Sequence, residues 1–264
     1  MSGAPTPEEI YAQTEEEGRR RLQRPVTELI STALAAGFDI VAGVIVLALI
    51  SSELHHRFGV NAAHVFGSIG FGIGFVFLIV GRAELFTENF LVPLAAVDRK
   101  DRGSWWKLFE LWTVSPIFNI LGGFLIILIV TTHGVLPEGT GTPIVDAAYK
   151  IHANHLLALF MSAIFAGALI TAMTWFVEGH QESHGVRVVV AWVVGAILAL
   201  GGLNHVIVVT IELIFAKRFG ADFPWIFVLG NFGLAAAGNM IGGIGLVTLN
   251  RFTQARSGSG TSSD

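Results

Sequence analysis

Apolar positions run through this chain in blocks too long and too uniform for the alternating patterns of a soluble fold. Leu29–Ser52 is 24 residues with a single charge, Asp39. Leu111–Thr132 and Leu156–Val177 are 22 residues each, Val188–Ile211 is 24, and Phe223–Asn250 is 28, all four without Asp, Glu, Lys or Arg. A bilayer core needs about 20 apolar residues per helix, so each block is a candidate membrane span. A further stretch is interrupted. Val65–Gly81 is uncharged, Arg82-Ala83-Glu84-Leu85-Phe86-Thr87-Glu88-Asn89 carries three charges, and Phe90–Val97 is apolar again. At 33 residues it is too long for one straight span, and it reads as one span broken near its centre. The pattern predicts an all-α integral membrane protein with six transmembrane helices.

The two halves share a plan. Asn119-Ile120-Leu121-Gly122-Gly123 and Asn239-Met240-Ile241-Gly242-Gly243 repeat at a distance of 120 residues, and so do the interruptions that begin at Gly81 and Gly201. Three spans per half put the second half upside down in the bilayer. The fold expected is therefore two inverted three-helix repeats with broken helices two and five, and such repeats carry their sites at the breaks near the midplane. Glycine pairs on their own need only close helix packing. Broken backbone in lipid is more telling, because it must be buried in protein or line water.

Composition agrees with the spans. The chain is 53% hydrophobic and 14% charged, and residues 1–28 hold ten of its 36 charged residues. A net charge of −4 gives no basis for nucleic-acid binding, and the lack of cysteine excludes disulfides, thiol catalysis and Cys-ligated metal. Lys and Arg counts orient the spans: with both termini in the cytoplasm, inner segments carry eleven, outer segments four, and Arg82 lies within the membrane. The expected division is a charged N-terminal segment over residues 1–26 with an amphipathic helix at 8–23, a channel domain over 27–252, and a disordered tail over 253–264. Ile10, Tyr11 and Leu22 would dock the helix, and Trp105, Trp106 and Trp225 suit the interface. Glu178, His180, Glu182 and His184, together with His55, His56, His152 and His155, have metal-ligand chemistry. They are assigned to solvated interfacial loops, so no metal or other cofactor is expected.

The chemistry is expected at the breaks. A helix that starts inside the membrane offers free N–H groups and a positive dipole end, which favour an anion or an oxygen-rich solute. Thr87 is placed to cap a short helix starting near residues 88–90, where Pro93 fits a first turn. Asn204 is placed to cap the helix beginning at His205. A buried histidine is ordinarily satisfied by a structural partner. At a repeat-related break it reads as functional, able to donate a hydrogen bond and exchange a proton. Asp39 is a possible partner for Arg82.

The loop Gly81–Asn89 with its Glu84-Leu85-Phe86-Thr87 core, Asn204-His205, Asn231 and Gly238–Gly243 together resemble the formate/nitrite transporter family of pentameric membrane channels. The resemblance covers roughly residues 27–250. It implies an aquaporin-like fold in the inner (plasma) membrane, one pore in each subunit of a homopentamer, and passage of small monovalent anions such as formate or nitrite, with or without protons. It implies that Thr87 and His205 share a central chamber with Asn204 beside them. Phe71, Phe75 and Leu198 would form apolar constrictions on one side and Leu85 on the other. Glu84 and Glu88 would belong to the pore, and Lys150 to its outer mouth. The chain departs from the family pattern at Glu88, Asn204, Val209 and Gly167, and adds Asp39, Arg82 and Glu212 inside the membrane. Two other readings stay open: an aquaporin-like pore for neutral solutes, though paired Asn-Pro-Ala signatures are absent, and a non-transporting membrane scaffold or sensor whose charges at 82, 84 and 88 lock the pore. No nucleophile–base set suggests an enzyme.

Overall fold

The computed structural model describes residues 4–258. They form helices joined by short connections, with no strand among the described residues. In chain order the helices are α1 (Pro7–Leu22), α2 (Val26–Gly81), a 3₁₀ turn (Phe86–Phe90), α3 (Val92–Ala96), α4 (Arg102–Val130), α5 (Gly141–His152), α6 (Leu156–Glu178), α7 (His184–Leu200), α8 (Val206–Arg218), α9 (Trp225–Met240), a π-helical stretch (Ile241–Thr248) and α10 (Leu249–Gly258). Four helical stretches are long and apolar enough to cross a membrane: Val26–Gly81, Arg102–Val130, Leu156–Glu178 and Trp225–Ser257. Leu156, Leu157, Ile226 and Leu229 are among many large apolar side chains on the outer surface. Water would penalise that surface and a bilayer accepts it.

α2 is two arms rather than one rod. Its 56 residues bend at Gly59, whose φ of 78° and ψ of 171° no other residue type readily adopts. The polar stretch between the first two apolar blocks is thus helical on both sides of Gly59. His55 and His56, expected in a loop, stand on α2, as His152 stands on α5 and Glu178 on α6. The arms and neighbouring helices meet through small residues. A methyl group at Gly37 would strike the Asn119 carbonyl, and one at Gly122 would strike that of Leu34. In the other half, Gly167 lies as tightly on Asn239, and Gly242 on the Ile164 carbonyl. These contacts let α2 and α4, and α6 and α9, approach at backbone distance.

α1 starts in a capping box. Thr6 accepts from Glu9 N and donates its own backbone N–H to Glu9 Oε2, with Pro7 in the first turn. Its apolar residue Ile10 packs on Leu91, Val92 and Trp175, and Tyr11 meets Phe252 edge-on at 4.9 Å. Protein, not lipid headgroups, covers this face. The expectation of a disordered tail from 253 is corrected as far as the described residues go, since α10 continues through residue 258. Residues 259–264 lie outside the described residues.

Candidate functional site

The two breaks are built by the same backbone device. α2 ends in a left-handed residue, Arg82 at φ 53°, and α7 is followed by Gly202 at φ 53°. In each case the next N–H reaches back five residues: Ala83 N to Leu78 O at 3.0 Å and Leu203 N to Leu198 O at 3.1 Å. An asparagine from the Asn-x-x-Gly-Gly motif of the same half then fastens the extended segment. Asn119 Oδ1 accepts from Phe86 N at 3.0 Å while its Nδ2 donates to the carbonyls of Glu84 (2.8 Å) and Ala33 (2.9 Å). Asn239 Oδ1 accepts from Val206 N at 2.9 Å while its Nδ2 donates to the carbonyls of Asn204 (3.2 Å) and Ala163 (2.7 Å). Both asparagines are fully buried. Each uses one amide to satisfy an N–H and a carbonyl of the break that no helix provides for, and ties them to a carbonyl of the neighbouring helix, Ala33 of α2 or Ala163 of α6. The motif carrying them was visible in the sequence; their role as staples was not.

Beyond the staple the breaks diverge. In the first, Pro93 has no N–H to return to Asn89 O, so a regular helix cannot run through. Trp112 Nε1 donates to that carbonyl instead, at 2.9 Å. The chain forms a 3₁₀ turn and the five-residue α3. Thr87 therefore caps nothing, contrary to expectation. Its Oγ1 lies 2.7 Å from His205 Nε2, and both residues are fully buried. In the second break His205 itself is the N-cap of α8, its Nδ1 accepting from Val208 N at 3.3 Å. Asn204, expected as the cap, exchanges two hydrogen bonds with Asn231 (2.9 and 3.1 Å) and donates to Leu159 O. With Nδ1 engaged as acceptor, the neutral imidazole carries its proton on Nε2 and donates it to Thr87 Oγ1. The threonine hydroxyl keeps its own hydrogen to offer elsewhere.

Two cavities approach this pair from opposite ends of α6. The larger, about 520 Å³, is walled by Ser162, Leu198, Leu203, Asn204, Val208, Val209 and Glu212, with Asp146, Lys150, His55, His56 and His64 also facing it. The smaller, about 90 Å³, is walled by Ile79, Ala83, Glu84, Glu88, Thr174, Val177 and Glu178, under Glu17, Arg20, Arg21 and Arg24 of the N-terminal segment. Ser162 and Thr174 are twelve residues apart on α6, roughly 18 Å at 1.5 Å per residue. Thr87, His205, Phe71, Phe75 and Leu85 line neither cavity and are fully buried. Phe71 and Phe75 pack with ring centroids 5.9 Å apart. Thr87 and His205 are thus brought together between the cavities, Asn204 and Leu198 lie on the wall of the larger one, and Lys150 faces it from α5.

Glu84 and Glu88 face the other side. Glu84 bridges Arg21 (3.1 Å) and Arg24, and Glu88 stands 3.7 Å from Arg21. Burial opposes the Arg21 charge, but Glu84, Glu88 and Glu17 around it raise its pKa above the ordinary arginine value. Burial pushes Glu17 up, and Arg20 and Arg21 outweigh it, holding its pKa at about 2. Arg21 and Arg24 were not among the expected site residues. The signal was an arginine pair three apart in a segment that precedes a membrane carboxylate with no other partner. Asp39 and Arg82 form no ion pair with each other. Among the described residues no group of three or more His, Asp or Glu is arranged to hold a metal.

The family model described as formate/nitrite transporter matches residues 8–253. Inner membrane protein YfdC of Escherichia coli (strain K12) is 27% identical over 94% of this chain and 78% of its own length. Uncharacterized transporter YrhG of Bacillus subtilis (strain 168) is 27% identical over 93% of this chain and 92% of its own. Among solved structures, a pentameric formate channel with formate bound superimposes with a TM-score of 0.71 at 18% identity, covering 86% of this chain and 96% of that one. An FNT family ion channel superimposes with a TM-score of 0.77 at 14% identity, covering 92% and 98%. These two likenesses establish the integral membrane helical fold.

Proposed function

The chain belongs to the formate/nitrite transporter family, and from that premise we propose that it carries small monovalent anions, formate or nitrite among them, through a pore inside each subunit of an inner-membrane homopentamer. Family membership makes it a channel or transporter and not an enzyme. In this reading six spans form two inverted repeats, α7 and α8 together being one broken span, and both termini face the cytoplasm. The recurrence of the Asn119 and Asn239 staples at a spacing of 120 residues supports the repeat. On the same reading the Glu84–Arg21–Arg24 lock, with α1 over it, would lie on the cytoplasmic side.

One observation carries the proposal: the Thr87–His205 pair, 2.7 Å apart and fully buried, lies between two cavities at opposite ends of α6, lined by its chain neighbours Glu84 and Glu88 on one side and Asn204 and Val208 on the other. An anion there meets the Thr87 hydroxyl and the helix ends at the breaks, without a fixed cation to trap it. A proton passed at the imidazole would let the solute leave as a neutral acid through the apolar surroundings of Phe71, Phe75, Leu85 and Leu198. Flux of formate, nitrite, acetate, hydrosulfide, glycerol and water into proteoliposomes at two pH values tests this. Uptake of the monovalent anions above glycerol supports it. Glycerol or water alone would favour a neutral-solute pore, and no flux at all would favour a scaffold locked by the arginine–glutamate cluster.

A further inference from the structure

The large cavity has one deep charged group that the Thr87–His205 pair leaves unused. Glu212 follows His205 by seven residues on α8, two helical turns along the same face. Val208 and Val209 occupy the turn between, and both line the cavity with Glu212. Glu212 is half-buried, and its carboxyl has no hydrogen-bond or ion-pair partner among the described residues. The rest of α8 is uncharged until Lys217 and Arg218 in its last turn. A carboxyl in apolar surroundings is costly unless it meets water or a solute, and only the cavity offers either. The other charged or titratable groups facing this cavity are Asp146 and Lys150 of α5 and His55, His56 and His64 of α2. α4 and α9 also pack on α8 but bring no charged side chain to the wall. Two carboxyls there, Glu212 and Asp146, face one amino group, that of Lys150.

We propose that Glu212 is the charge filter of this vestibule: ionised, it turns anions back at the Val208–Val209 turn; protonated, it hydrogen-bonds them and lets them pass toward His205. The inference rests on the anion-path reading above. A unit charge a few ångströms from a narrow passage changes local ion concentrations at least about tenfold at an effective dielectric of about 20. A carboxylic acid in the same place presents an O–H donor and no charge. Protons on the vestibule side thus set which fraction of the pores admits an anion, before the imidazole is reached.

The filter is measured without transport, because the chain has no cysteine. Leu203→Cys places a single thiol in the cavity wall. Its labelling rates with a cationic and an anionic methanethiosulfonate are compared in the assembled protein, with Glu212 or with Glu212→Gln, between pH 5 and 8. The ratio of cationic to anionic rates is expected to be at least about tenfold higher with Glu212 at pH 8, and to fall toward the Gln value at pH 5. Equal ratios in both backgrounds at pH 8 would overturn the proposal. Glu212→Met, also uncharged, replaces the Gln variant if that one fails to assemble. Formate flux is the second arm: at pH 8 on the vestibule side the Gln variant is expected to run at least about threefold faster than the parent, and superimposable pH profiles would overturn the filter. If formate crosses in neither protein, the anion-path reading fails, and the labelling ratio still decides the charge at Glu212.

Discussion

The first break, around 82–92, and the second, around 202–206, use one backbone solution for two kinds of work. Both end a helix with a left-handed residue, reach back five residues, and hang an extended segment on a buried asparagine. At positions that correspond by the 120-residue offset, the first has Glu84 and Leu85, and the second has Asn204 and His205. Glu84 is ionic and drawn to the arginines of the N-terminal segment; Asn204 is neutral and held by Asn231. The first break therefore anchors the mouth of the protein to α1, and the second presents an imidazole to the centre. Two breaks built alike keep their backbone requirements in common and differ in the side chains they present.

Exchanging the two side chemistries would have the largest effect. Asn204→Glu puts a carboxylate opposite Asn231 with no arginine, and Glu84→Asn leaves Arg21 and Arg24 short of a counter-charge. Each is expected to cost about 3–5 kcal/mol, the usual penalty for an uncompensated buried charge, read as loss of assembled protein on detergent thermal melts. The staples come next. Asn119→Ala and Asn239→Ala each strand one N–H and one carbonyl of the break, for about 2–4 kcal/mol each, at 1–3 kcal/mol per stranded group with partial rehydration. Similar costs for both are expected, and a large inequality would break the equivalence of the two breaks.

Function should separate them. His205→Asn is expected to flatten the pH dependence of anion flux between about pH 5 and 8, while Leu85→Asn leaves its shape unchanged; an unaltered profile in the His205 variant would remove the imidazole from the proton path. A smaller effect lies at the left-handed residues. Gly202→Ala has room for its methyl group but not the φ, so a loss of about 1–2 kcal/mol is expected, and Arg82→Gly should return a similar amount of backbone strain. Melting midpoints of the pair show whether the signs are opposite.

The smallest effect concerns the tie of α1. Glu17 has a lower pKa folded than unfolded, so its contribution is complete above the ordinary carboxylate value near 4.5 and is lost as pH falls toward about 2. Anisotropy of a fluorophore at Glu8 is expected to stay constant from pH 7 to about 4.5 and decline below it. Glu17→Gln should weaken docking throughout and remove that decline.

How much was legible follows from the distance over which each feature is decided. The breaks were readable because Gly81, Arg82, Gly201 and Gly202 interrupt apolar runs locally. The N-caps were not. Asn204 is a better cap than histidine by local preference, yet Asn231, 27 residues on, takes its amide and leaves His205 to cap α8. Thr87 looked like a cap for the same local reason, and a histidine 118 residues away claims its hydroxyl. Gly59 shows the reverse case: a polar stretch that reads as a loop stays helical, because one glycine supplies the bend.

By itself the sequence determined that this chain lies in a membrane, that the Asn-x-x-Gly-Gly motif recurs after 120 residues, and where the apolar runs are interrupted. Those properties depend on run length, spacing and residues that govern their own backbone. Only the tertiary structure decided which groups meet: Thr87 with His205, Glu84 with Arg21 and Arg24, and Glu212, among the described residues, with the cavity alone. In an apolar interior every buried polar group must find a partner wherever the fold brings one. Partner choice there is set by three-dimensional proximity, which sequence spacing does not record.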